Sequence, residues 1–156
     1  MSDPPPLPPP PPTYVEVDAV MQCAGVARHA WGPYPLTGEF PRFAELLRDL
    51  PLMVEFDFDQ EPIGTVTTAW VDAETGHQWC RVRFARGASD LAKKTAADLL
   101  SEKPVLRHIT FGMEPTYLDT DVMFGIKGIK PTCVSLVAKS AMDGPIGIRR
   151  VSVVRD

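Results

Sequence analysis

LPLMVEFDFDQEPIGTVTTAWV, residues 50–71, is the stretch that decides how this chain folds. Its opening, Leu52 to Phe56, is mainly apolar, and its close, Ile63 to Val71, is rich in β-branched residues that suit a pleated, half-buried surface. Between them Asp57 to Pro62 carries three acids and a proline, the composition of a turn. The stretch therefore predicts two strands joined by a tight acidic loop. A second turn, DAETG at 72–76, leads into QWCRVRF at 78–84, which alternates apolar and polar residues and completes a meander.

On the N-terminal side, YVEVDAV at 14–20 alternates so that Val15 and Val17 share one face and the acids the other, predicting a first strand. Residues 24–41 are rich in Gly, Pro and aromatics without a period and read as a loop. A short helix over Pro41 to Leu50 follows, with Pro41 in its first turn and Phe43, Leu46, Leu47 and Leu50 at helical spacing. On the C-terminal side Ser89 is an N-cap for a helix over Asp90 to Ser101, with Leu91, Ala92, Thr95, Leu99 and Leu100 along one side and Pro104 beyond its end. Strands are predicted over Val105 to Phe111, ended by Gly112, over Thr132 to Ala138, and over Ile148 to Val154. About seven strands and two or more flanking helices make a β-rich α+β chain, a β-barrel or a sandwich.

With 156 residues the chain has enough length for one domain with a sizeable core. Residues 4–6 and 8–12 are all proline, so 1–13 reads as a disordered, polyproline II-type tail and 14–156 as the domain. A formal charge of −4 with both signs interspersed lacks the basic patch of a nucleic-acid binder. Three cysteines, Cys23, Cys80 and Cys133, show neither CxxC spacing nor an even count, so no disulfide framework, metal site or cofactor is expected. No apolar run approaches a membrane span and no signal-peptide core is present, so the expectation is a soluble, non-secreted, non-membrane protein in a reducing interior.

Three segments, in this order, carry a likeness to a known family. They are the 50–66 stretch with its Pro-Ile-Gly, HITFGM at 108–113 following a helix, and CVSLV at 133–137, with IGIRR at 146–150 beyond them. This pattern resembles the capsid-maturation proteases of herpesviruses (assemblins) and tailed phages (prohead proteases). The resemblance implies a single barrel-like antiparallel sheet of about seven strands flanked by helices. It also implies an endopeptidase of the serine type working on scaffold and capsid precursors inside the host cell. Carried over position by position, it puts the base histidine at Phe56, the nucleophilic serine at Thr110 and the third triad member at Cys133. Arg149 and Arg150 stand where the family keeps the arginine pair that supports its oxyanion hole.

All three triad positions differ from the family. A hydroxyl needs an adjacent base held by a third group, and phenylalanine accepts no proton. Loss of the nucleophile or base of such a triad lowers turnover on the order of 10⁶-fold. Two residues offer a rebuilt site. Asp57, next to Phe56, is a candidate carboxylate base. His108 lies two residues before Thr110 on the same strand face, and Cys133 lies on a neighbouring strand, so a Cys133/His108 dyad assisted by Arg149 or Arg150 is a second form. The plainer readings are a half-buried strand histidine and a small core cysteine. Likewise His77 reads as a turn residue, and Asp57, Asp59 and Glu61 as a solvated acidic loop rather than a cation site. Three functions follow as expectations. The first is an inactive protease fold that binds scaffold or capsid protein during prohead assembly, with self-association compatible. The others are an active protease with a rearranged site and a capsid decoration protein anchored by its proline tail.

Overall fold

The computed structural model describes residues 3–7, 13–22, 25–29, 32–36, 40–115, 129–140 and 146–155. Among the described residues nine strands and two helices lie in the order β1 (Thr13–Gln22), β2 (Gly25–His29), β3 (Gly32–Leu36), α1 (Phe40–Leu47), β4 (Pro51–Val54), β5 (Gly64–Val71), β6 (Gln78–Ala85), α2 (Asp90–Leu99), β7 (His108–Pro115), β8 (Ile129–Val137) and β9 (Gly147–Arg155). Of the proline-rich tail, Asp3 to Leu7 is without helix or strand and exposed.

The 50–71 stretch folds as predicted, as β4, an acidic loop and β5, and β6 continues the meander by pairing antiparallel with β5. Seven strands form one sheet in the order β7-β8-β4-β5-β6-β1-β9. The sheet is mixed and not all antiparallel, because β4 runs parallel to β8, with Leu52 opposite Val134 and Val54 opposite Leu136. Since β4 and β5 are already a hairpin, β8 is left to join the far side of β4, and the chain reaches it in the parallel sense after β6, α2 and β7. The sheet curls into a half-barrel. Register shifts in β1, β5 and β7 supply the extra twist that curling needs. Its two edge strands meet at their beginnings, where the Ile148 amide donates to the Arg107 carbonyl at 2.8 Å.

Alternation along the strands fills the inside of the curl. Val15, Val17, Val66, Val82, Phe84, Leu52, Ile109, Val134 and Leu136 are all essentially without exposure, each such side chain contributing about 1.5–3 kcal/mol. Helix α2 closes over this core with Ala92, Thr95, Ala96 and Leu99, and Ser89 caps it by accepting from the Ala92 amide at 3.0 Å. Leu100, expected on the buried side, is instead a C-cap residue and 39% exposed. Helix α1 ends at Leu47, three residues short of the prediction, because Asp49 takes a left-handed φ of 64°. The expected loop at 24–41 contains a two-stranded ribbon, β2 with β3. Nor does Gly112 end its strand: β7 runs through it to Pro115, with a register shift just after Gly112. Among the described residues no helix is long and apolar enough to cross a membrane.

Candidate functional site

In β7 and β8 the side chains of Ile109, Phe111, Val134 and Leu136 enter the core, so Thr110, Gly112, Cys133 and Ser135 point to the opposite face. Register sets Thr110 directly across from Ser135, and Gly112 across from Cys133. On the next strand Met53 stands level with Ser135. Although they face away from the core, Met53, Cys133 and Ser135 are buried, and Thr110 is half-buried beside them.

Phe56 reaches this face through the turn after β4. Glu55 and Phe56 both have left-handed backbones, φ 50° and 51°, which for residues with side chains costs roughly 1–2 kcal/mol each. Hydrogen bonds hold the pair there. The Asp57 amide closes the turn on the Val54 carbonyl at 3.0 Å, and the Glu55 amide donates to the Leu136 carbonyl at 2.8 Å. The Phe56 amide donates to Ser135 Oγ at 2.9 Å, and Glu55 Oε1 accepts from the Ala138 amide at 2.8 Å. Ser135 and Glu55 are thus the site residues that reading the sequence missed. Ser135 had a signal, being the one polar position between core residues in CVSLV; Glu55 had none.

Gly112 makes room for what surrounds it. A methyl group at this position would lie 2.8 Å from Cys133 Sγ and 3.3 Å from Phe56 Cε1, so the phenyl ring and the thiol converge over the glycine. Gly112→Ala is therefore expected to cost about 1–3 kcal/mol, and much less in a Cys133→Ala background, which removes the closer contact. Urea unfolding of the four members of that cycle measures the coupling; additive costs would place the two side chains apart.

Phe56 and Cys133 therefore meet over Gly112, with Thr110 two residues away along β7 and opposite Ser135, whereas the rebuilt alternatives are not brought together. His108 pairs with Val137, four residues along β7 from the position that faces Cys133, a spacing of about 13 Å. This corrects the Cys133/His108 dyad, since sharing a face is not sharing a register. Asp57 is exposed and its Oδ1 accepts from the Asp59 amide at 3.1 Å, so its carboxylate serves its own loop. Among the described residues no group of three or more His, Cys, Asp or Glu side chains gathers. Burial pushes the Cys133 thiol above its ordinary range, against smaller opposing effects of the Gly112 backbone and the Thr132 hydroxyl. Such a thiol is a weak nucleophile at neutral pH.

At the other end of β7, His108 lies beside β9. A methyl group at Gly147 would be 3.4 Å from His108 Nδ1 and 3.5 Å from Arg149 Nη1. Arg149 is the extra residue of a bulge, between Arg150 opposite Asp18 and Ile148 opposite Ala19. Both arginines are exposed, and Asp18 is bound by Arg81 at 2.7 and 3.0 Å. Burial, then Arg107 and Arg149, lower the pKa of His108 below its ordinary 6.5. The folded chain therefore binds fewer protons than the unfolded one in the window below pH 6.5, and the stability gained from a neutral His108 is complete above it. That stability falls as the pH drops from 6.5 toward the folded-state pKa. Urea midpoints across this range should decline less in His108→Gln than in the parent chain; equal slopes would place His108 in solvent.

No protein-family model, curated protein or solved structure matches the chain.

Proposed function

We propose that the chain is a capsid-assembly protein with the assemblin and prohead-protease type of fold, without the protease chemistry, acting inside the host cell by binding scaffold or capsid protein. The observation that carries this reading is the meeting of Phe56, Gly112 and Cys133. Three segments that the resemblance aligns, from distant parts of the sequence, converge on one sheet face, which supports the reading. At that meeting point the base position holds a phenyl ring. The backbone beneath it is fastened by Ser135 and Glu55, which supports a rigid surface more than a group that must move a proton.

An extended peptide that adds to an edge strand such as β7 gains main-chain hydrogen bonds without any reaction. Thr110, half-buried on the adjoining face, sits where such a peptide would cross. Size-exclusion chromatography of the chain with the scaffold protein of the capsid it is proposed to serve is expected to give a complex. Thr110→Arg, which sets a large cation in that path, is expected to dissolve the complex while leaving the melting temperature near that of the parent. Elution of the parent chain and scaffold as separate species would overturn the proposal.

A further inference from the structure

Between the proline runs 4–6 and 8–12 stands a single other residue, Leu7. Proline fixes φ near about −65° and carries no N–H donor, so a segment of this density is preset toward a left-handed polyproline II helix of about three residues per turn and about 3.1 Å rise. That period puts Pro4, Leu7 and Pro10 on one edge of the helix, with Leu7 about 9 Å from each proline.

Leu7 takes no part in the fold. It is 91% exposed, the highest value among the exposed large hydrophobics of the described residues, where Phe58 follows at 69%. Asp3 to Leu7 as a whole is exposed and without helix or strand. An apolar side chain so placed stabilises nothing within the domain and is open to a partner. The carbonyls around it have no N–H of their own run to pair with, since proline supplies none, which leaves them as acceptors for the indole N–H or phenol O–H of another protein. Residues 4–12 contain no charged side chain, and Asp3 precedes them. A groove that reads a basic flank through its own acids would meet no cation here and would face Asp3, so the segment fits a groove whose selection is apolar. Thr13, the first residue of β1, follows Pro12 directly, with no glycine between it and Leu7. Six residues of polyproline II span about 19 Å, enough to hold a partner clear of the sheet.

We propose that residues 4–10 are the ligand of a partner domain with an aromatic-lined polyproline II groove, the prolines lying on its Trp and Tyr side chains and Leu7 filling an apolar socket beside them. Ordering such a segment costs little, because proline has already restricted it. Leu7 then supplies the selectivity that a uniform proline run lacks. This recognition is separate from the capsid reading, since it uses neither the face around Phe56 nor the edge of β7.

Titration of the full chain into isotope-labelled WW and EVH1 domains, two grooves of this class, tests it by amide and indole NMR. Saturable shifts are expected at the groove aromatics of at least one of them. Leu7→Ala is expected to weaken that binding about fivefold or more, and Leu7→Asp about tenfold or more. Leu46→Ala, at an exposed leucine of α1, is expected to bind like the parent. Both Leu7 variants should melt with the parent chain, because Leu7 lies outside the core. A synthetic peptide of residues 3–12 should displace the full chain, and the same peptide carrying Leu7→Asp should not. No saturable shift in either domain, or Leu7 variants that bind like the parent, would overturn the proposal. So would self-association of the parent chain alone, measured by sedimentation and lost in Leu7→Asp, since the occupied groove would then belong to a second copy.

Discussion

Gly64→Ala is expected to remove about 3 kcal/mol or more of stability, enough to leave much of the chain unfolded. A methyl group there would lie 2.1 Å from the Arg83 carbonyl oxygen and 2.7 and 2.9 Å from Phe84 Cβ and Cα. These are backbone atoms or atoms next to it, so no rotamer change relieves the contact. Gly64, the first residue of β5, pairs with Phe84 on one side and Leu52 on the other. Pushing β6 away would break the ladder and withdraw Phe84, which is 1% exposed, from the core. Gly87→Ala is the control. No atom lies within 4 Å of the added methyl, so a change within about 0.5 kcal/mol is expected. Urea midpoints of both variants measure the difference, and a Gly64→Ala midpoint equal to that of Gly87→Ala would refute the close approach of β5 to β6.

Cys133 in the folded chain is expected to react with iodoacetamide at pH 7 at least about 100-fold more slowly than in denaturant. Two effects act together. Only 4% of the residue is exposed, with Gly112 and the Phe56 ring against it, and its burial favours the thiol over the reactive thiolate. Cys80, fully buried with its pKa also pushed upward by burial and then by Asp18, should be protected as well. Peptide mapping by mass spectrometry separates the cysteines. Fast labelling of native Cys133 would mean an accessible, activated thiol, and so an active site of the rearranged kind.

Much of the fold was legible because strands beside the core carry alternating apolar residues. In 14–20 and 78–84 Val15 with Val17, and Cys80 with Val82 and Phe84, each share one face, and these are residues found inside. Helix α2 was legible from Ser89 and its small apolar stripe. The parallel pairing of β4 with β8 was not, because it joins residues some eighty positions apart and either direction buries the same side chains. The ribbon of β2 and β3 was hidden by Gly and Pro, which punctuate turns and hairpins alike.

At the candidate site, Phe56, Thr110 and Cys133 were singled out only through short strings that carry a resemblance, whereas Ser135 was visible by parity alone. The left-handed pair Glu55 and Phe56 leaves no trace in composition, since neither residue type favours that conformation. The mistaken Cys133/His108 pairing has a physical origin too. Period two gives the face of a residue, but the offset along the partner strand is set by pairing, which puts Val137 and not Cys133 beside His108.

Incubation of the chain with the scaffold and capsid precursors that the proposed function assigns to it, followed by intact-mass spectrometry of every component, tests the central claim most directly. Binding without chemistry predicts that all masses remain those of the full-length chains while a complex forms. New termini in a precursor or in this chain, abolished by Thr110→Ala, Cys133→Ala or Ser135→Ala, would contradict it and make the face around Phe56 a working protease site.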